Sequence, residues 1–265
     1  MQIKPTTGSA VLHERNTRLI SELPEPSDVL KELQSRSRLD AEDLQAPPTV
    51  PQPALIGTLA QLGTYQDCAI AAVSAPPSQV PLETLLRQRT SVRAYNAKPV
   101  PVELLSSVVQ QAVAFDRSAW PDDEAGAGLQ FLVAARSVAG LPQGLYLYSA
   151  DRGDFASVAD LPDGEAAAEL VLQLEYAHSP AIVIVCGPLA ASLDRHGEHG
   201  HRLLLTRAGA ATHTAWLAAL DCGLVGSVFA GFLSSALKSL VPVDGYRSAQ
   251  LFAFSCGYPL TTEGV

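Results

Sequence analysis

The chain has 265 residues, 18 Lys and Arg against 27 Asp and Glu, a formal charge of −9 and 47% apolar side chains. Such an acidic balance excludes a reader of the nucleic-acid backbone, which needs a basic surface, and gives no handle on anionic lipid. The apolar content excludes disorder over most of the length, no apolar run reaches the roughly 18 residues of a membrane span, and no basic-then-apolar leader opens the chain, so a cytoplasmic protein is expected.

Nine of the 19 prolines fall in the first 80 residues, eight of them in clusters at Pro24/Pro26, Pro47/Pro48, Pro51/Pro53 and Pro76/Pro77. Each removes a backbone donor and fixes φ, so residues 1–80 read as an arm of short helices and loops. Within it, Ser27 to Leu39 suits one helix with Ser27 as N-cap. Residues 81–265 read as the main domain. Leu82 to Arg87 is a short helical pattern. Pro101 to Phe115 is a stronger one, with an apolar stripe of Leu104, Leu105, Val108, Val109, Ala112 and Val113.

Leu129 to Ala134 and Gly144 to Ser149 read as strands, and Gly164 to His178 as a helix with Leu170, Val171 and Leu174 inward. Ala181 to Cys186 is apolar and β-branched throughout, as in a strand buried on both faces. Arg202 to Cys222 is the longest helix, small-sided, with Gly223 placed to end it. Ala249 to Cys256 closes the series as a strand. Interleaved strands and helices mean α+β or α/β. Four widely spaced cysteines form no C-x-x-C pair and read as small buried hydrophobes.

A phosphate-cradling loop, a dinucleotide fingerprint, a nucleophile elbow and H-E-x-x-H are all missing. His196-Gly-Glu-His199-Gly-His201 gathers three imidazoles. Spacing supplies no fourth ligand, so an active-site or solvated loop is preferred to a metal site and no metal is expected. The sharpest local signal is Arg87-Gln-Arg89-Thr90-Ser91-Val92-Arg93-Ala94-Tyr95. If this segment is extended, Arg89, Ser91 and Arg93 share one face, and two guanidiniums with a hydroxyl suit a phosphate monoester. A solvated basic patch paired with Glu83 or Asp116 accounts for the same residues equally well. His213 reads as a core histidine, and Trp120 and Trp216 as apolar anchors.

Arg-x-Ser-x-Arg-x-aromatic after a short helix resembles the opening of the nitroreductase family of FMN flavoproteins. Gly144-Leu-Tyr-Leu-Tyr148, the strand 181–186 and the loop His196 to His201 running into the long helix are similar to one branch of it. That branch comprises the dehydrogenases that oxidise peptide thiazolines and oxazolines to azoles. The start Val11-Leu-His-Glu14, the glycine-rich segment 220–232 and the ending Phe254-Ser-Cys-Gly-Tyr-Pro259 follow in the same order.

The resemblance implies an α+β, nitroreductase-like fold: a mainly antiparallel sheet of four to five strands flanked by helices, built as an intertwined dimer. It implies FMN at a homodimer interface, or a heterodimer one, with the phosphate on Arg89, Thr90, Ser91 and Arg93. The backbone N–H groups of Ala230 and Gly231 would face the flavin edge and stabilise charge there. The branch's Lys-Tyr pair is replaced here by Arg195-His196. Arginine stays protonated, whereas histidine can serve as a base, so His196 takes the proton-accepting role and Arg195 the charge.

The implied function is oxidation of azolines to azoles in peptide natural-product biosynthesis, with a precursor peptide and a cyclodehydratase as partners. Two alternatives stand beside it. One is an FMN oxidoreductase of the same fold acting on another substrate with NAD(P)H. The other is a scaffold subunit paired with an active paralogue, to which the acidic turn Pro121-Asp-Asp-Glu124 and the lack of a basic residue after the last strand both point.

Overall fold

A computed structural model describes residues 26–37, 70–71, 80–121, 128–162, 171, 174–231 and 234–260. By its contacts the chain forms two units, residues 1–47 and 48–265. The first contains helix α1, Pro26–Arg36, which begins one residue before the expected cap at Ser27 and ends before Leu39. Its ion pairs, Lys31 with Asp28 and Arg36 with Glu32, are local and exposed.

The second unit is a seven-stranded sheet in the order β1-β6-β5-β3-β7-β9-β8, antiparallel at every pairing. The strands are β1 Ile70–Ala71, β3 Gln130–Ala135, β5 Gly144–Ser149, β6 Asp154–Ala159, β7 Ala181–Gly187, β8 Val225–Phe229 and β9 Ala249–Gly257. A two-residue parallel pair, β2 Val100–Pro101 with β4 Val138–Ala139, lies outside it. The sheet is wider than the four to five strands expected. Both β6 and β8 lack the apolar run that marks β7: each mixes Ser with apolar residues, so their pairing with β5 and β9 rather than their composition makes them strands.

The period of two divides the core. Phe131, Val133 and Ala135 of β3, with Ala181, Val183 and Val185 of β7, pack in one apolar cluster. Helices α3 (Val102–Ala119) and α5 (His199–Asp221) cover that face. Leu132, Ala134, Ile182 and Ile184 point the other way, into a second cluster with Tyr176, Leu237, Val241 and Val243. That face is covered by the 3₁₀ turn Leu174–Tyr176 and helix α6, Ser234–Leu240. With both faces covered, β7 is buried along its whole length, as its unbroken apolar run requires.

Helix α5 shows what its small side chains are for. Ala208, Ala211, Ala215, Ala218 and Ala219 are buried between α3 and strands β8 and β9. The helix ends where Gly223 takes φ +72°, a left-handed conformation that side chains resist. Just upstream lies helix α4, Leu189–His196, and the loop expected at 196–201 is only the turn 197–198 between it and the start of α5. The expected helix 164–178 falls largely outside the described residues. Of its inward set Val171 is buried, but Leu174 is 64% exposed because it opens the 3₁₀ turn. Cys186 and Cys256 are buried and unpaired, in keeping with their reading as hydrophobes, and Cys68 lies outside the described residues. Among the described residues no helix is long and apolar enough to cross a membrane.

Candidate functional site

Helix α2, Leu82–Gln88, ends at Arg89, whose N–H caps the Leu85 carbonyl at 3.0 Å and whose backbone turns extended. The chain then runs beside the outer edge of β8. Ser91 bridges Gly226 in parallel register, and the Val92 N–H donates to the Gly226 carbonyl at 3.0 Å. Gly226 is required by the sheet: a Cβ there would overlap the Ser255 carbonyl oxygen of β9. The middle of the glycine-rich stretch 220–232 is thus strand β8, and Ala230 and Gly231 follow it before residues 232–233, which are outside the described set.

The two arginines of the motif part company. Arg89 lies with its guanidinium 4.5 Å over the ring of Trp216, a residue of the α3/α5 face. Arg93 donates from Nε to the Tyr176 hydroxyl at 2.9 Å and stands 3.8 Å from Glu175, toward the opposite face. The hydrogen bond to Tyr176, followed by the nearby negative charge, raises the pKa of Arg93 further, so it is a permanent cation already engaged. The expected single face is therefore not formed. A phenol and a carboxylate draw Arg93 away, and neither was visible as its neighbour from 83 positions along the chain.

The basic-patch reading is settled differently for each arginine. Glu83 pairs with Arg87 at 2.7 Å, and Asp116 is buried against Arg207. Among the described residues Arg89 therefore has no carboxylate partner. Around it, Thr90 and Ser91 are exposed. The indole Nε1 of Trp216 is buried with no hydrogen-bond partner. His213, one turn before Trp216, meets that indole edge-on at 6.3 Å between centroids. It is exposed on α5 rather than in the core, and partial burial and the charge of Arg89 lower its pKa. The exposed Arg89, Thr90 and Ser91 offer a guanidinium and two hydroxyls, donors of the kind that stabilise an anion.

A chain of hydroxyls lies behind Arg93, and the sequence reading did not anticipate it. The Tyr176 hydroxyl donates to Ser227 Oγ at 3.1 Å, while its ring stacks on Phe229 at 4.0 Å. Ser227 of β8 faces Ser255 of β9, whose Oγ is 2.7 Å from the Tyr95 hydroxyl. Burial pushes the Tyr95 phenol well above its ordinary pKa, so it stays protonated. Serines directly opposite on adjacent strands were the available signal, legible only once the register of β8 on β9 was known. An open groove of about 440 Å³ adjoins this chain, lined among others by Arg93, Tyr95, Glu175 and His178.

Arg195 and His196 end helix α4 at a tight corner. The Ser192 hydroxyl donates to the Gly200 carbonyl at 2.8 Å, and a Cβ on Gly200 would overlap the Ser192 carbonyl oxygen. Gly197 makes the turn at φ +59°. His196 is half-buried, and its pKa is lowered by burial first, then by Arg195 and His199. Among the described residues no three His, Cys, Asp or Glu side chains are grouped as a metal would need.

This corner does not meet the Arg89 site within the chain. Seventeen positions of α5 separate His199 from Trp216, roughly 25 Å at 1.5 Å per residue.

The family model for the nitroreductase family matches residues 86–258. The nitroreductase homologue MJ1384 of Methanocaldococcus jannaschii is 27% identical over 174 residues, covering 63% of this chain and 87% of that protein. A nitroreductase-like crystal structure from Ralstonia eutropha superposes with a TM-score of 0.58 at 17% identity, over 81% of this chain and 98% of that one. One from Anabaena variabilis gives 0.61 at 20% identity over 72% of this chain, which spans only 42% of the Anabaena chain. With its sheet, its helical cover and its matched span of residues 86–258, this chain belongs to the nitroreductase family of FMN-binding oxidoreductases.

Proposed function

We propose that this protein is an FMN-dependent oxidoreductase that oxidises azoline rings of a modified peptide to azoles, and that it works as a dimer. The observation that carries the reading is His196, an imidazole kept neutral by burial and by the neighbouring Arg195 cation, on a corner fixed by the Ser192–Gly200 contact.

The residues present fit the phosphate end of FMN. Arg89 has no carboxylate among the described residues, Trp216 has an unused buried N–H, and Thr90 and Ser91 expose hydroxyls beside them. Those groups would hold the phosphate, with the N–H groups of Ala230 and Gly231 offered to the ring edge. The chemistry FMN supplies when bound is acceptance of a hydride. Aromatising an azoline also releases a proton from the ring, and a neutral imidazole is suited to take it. Arg195 cannot take that proton, but its fixed charge stabilises negative charge developing on the substrate.

The separation of roughly 25 Å along α5 gives the dimer a purpose. An FMN molecule anchored at Arg89 is too short to reach His196 of its own protomer. The pair serves a flavin held by the second protomer, so catalysis requires both.

The test uses an azoline-bearing peptide and the purified holoprotein under air. One FMN per subunit and azole formation are expected, and His196→Phe should lower the rate by about 10² to 10⁴ with FMN content unchanged. Azole formation at the full rate in that variant would overturn the role of His196. Replacement of the branch's Lys-Tyr by Arg195-His196 favours a second reading, reduction of another substrate with NAD(P)H. Rapid NAD(P)H oxidation without any action on azolines would select it.

A further inference from the structure

We infer that His213 is the second cation of the anion site built on Arg89, and that it, rather than Arg93, meets the phosphate of the bound cofactor. The inference rests on the flavin reading above and adds to it a residue and a proton.

The geometry centres on one indole. Arg89 lies over the Trp216 ring and His213 meets the same ring edge-on, so both side chains are held to one apolar surface. Trp216 is itself packed against Phe254 and is 5% exposed, which fixes that surface. Its Nε1 is buried without a partner, so the indole has a donor to offer as well. Thr90 and Ser91 follow Arg89 directly and are exposed. Arg93, by contrast, is hydrogen-bonded to Tyr176 and faces Glu175, and releasing it would leave the phenol without that contact.

His213 has few competing charges. Arg89, from the segment after α2, is the charged group that acts on it. On α5 itself the neighbours at helical spacing, Gly209, Ala210, Trp216 and Leu217, carry none. The face of β9 behind Trp216 contributes Phe254. In the free protein partial burial first, and then the charge of Arg89, lower the pKa of the imidazole. A phosphate dianion placed between the two reverses the balance and favours the imidazolium. A ligand that stays a dianion across this range should then bind with uptake of a proton at His213, and its affinity should rise as the pH falls from 8 to 6.

The experiment is calorimetric titration of the full-length, flavin-stripped chain with FMN and, separately, with inorganic sulfate, which is a dianion at both pH values. It is run at pH 6 and pH 8 in buffers of different ionisation enthalpy, which reports the protons taken up. Arg89→Ala should weaken both ligands at least about tenfold at either pH. His213→Gln should match the unmodified chain at pH 8, bind about threefold more weakly at pH 6, and lose the proton uptake. Arg93→Ala should stay within about twofold of the unmodified chain.

A His213→Gln profile that follows the unmodified chain at both pH values overturns the inference, as does an Arg93→Ala loss equal to that of Arg89→Ala. His213 is exposed, so its variant should keep the native unfolding midpoint, and that check separates binding from folding. If FMN binds one per subunit while His213→Gln has no effect, the inference falls and the flavin reading stands. If sulfate shows the expected pattern and FMN does not bind, the site stands and the flavin reading falls. Silence from both ligands overturns both.

Discussion

Arg207 on α5 donates two hydrogen bonds to Asp116 on α3, Nε to Oδ1 at 2.5 Å and Nη2 to Oδ2 at 2.7 Å, with both side chains almost fully buried. The Trp120 ring lies 5.5 Å from the same guanidinium. This fork fastens together the two helices that cover one face of the sheet. Removing one member leaves a buried charge without its partner, which is costlier than removing both. Asp116→Ala should lower the unfolding free energy by about 3–5 kcal/mol in urea titration, and the double replacement Asp116→Leu with Arg207→Met should recover most of it. Equal losses in the single and double variants would show that the pair matters for packing alone.

Gly226 gives a second prediction. A methyl at that position would overlap the Ser255 carbonyl oxygen and stand 2.7 Å from the Phe254 ring, so β8 must move off β9 to admit it. Gly226→Ala should cost about 3 kcal/mol. It should also weaken FMN binding, because Ser91 and Val92 are tethered to this residue. Hydrogen exchange of the β8 amides would report the separation directly, and unchanged protection there would refute the tight approach.

Asp244 supplies a pH dependence. Burial works against its charged form, but hydrogen bonds from the Ser248 and Tyr246 N–H groups and from Arg247 outweigh it and hold the carboxyl down to about 2. A carboxyl whose folded pKa lies below its unfolded value near 3.9 stabilises the fold above that value. The contribution is lost as pH falls from about 4 to about 2. Asp244→Asn should remove this slope from the stability curve while costing about 1 kcal/mol at neutral pH. The same loop accepts the Ala190 N–H at the Tyr246 carbonyl, so α4 should loosen with it.

The buried thiols titrate at the other end of the scale. Burial pushes Cys186 and Cys256 up to about 12. In the unfolded chain they ionise near 8.5, so the folded state loses stability as pH rises from about 9 toward 12. At pH 8 neither should react with a disulfide reagent until urea unfolds the chain, and thiol release should follow the unfolding transition. Prompt labelling of either in the native protein would show that β7 and β9 open locally.

Much of the scaffold was legible because its code is short-ranged. The stripe at three- and four-residue spacing in 101–115 and the β-branched run 181–186 each state their own period, and each became the element expected. The small-sided helix expected over 202–222 likewise became α5. What misled was polarity without context. Ser227 lay in the glycine-rich segment and Ser255 in an expected strand, and only the register of β8 on β9 sets them opposite each other, while His213 read as buried until the helix phase turned it outward.

The order of amino acids by itself determined helices α2, α3 and α5, the central strands, the turn at Gly223 and the family that the Arg89–Arg93 segment resembles, since all are properties of neighbours within a few positions. Which charges meet was decided only on folding. Arg93 finds Tyr176 across 83 positions and Arg207 finds Asp116 across 91, while Arg89 rests on Trp216 without a carboxylate among the described residues. Such pairings depend on strand order and helix placement, which bring distant side chains within the few ångströms where hydrogen bonds and desolvated charges act. No local periodicity encodes those distances.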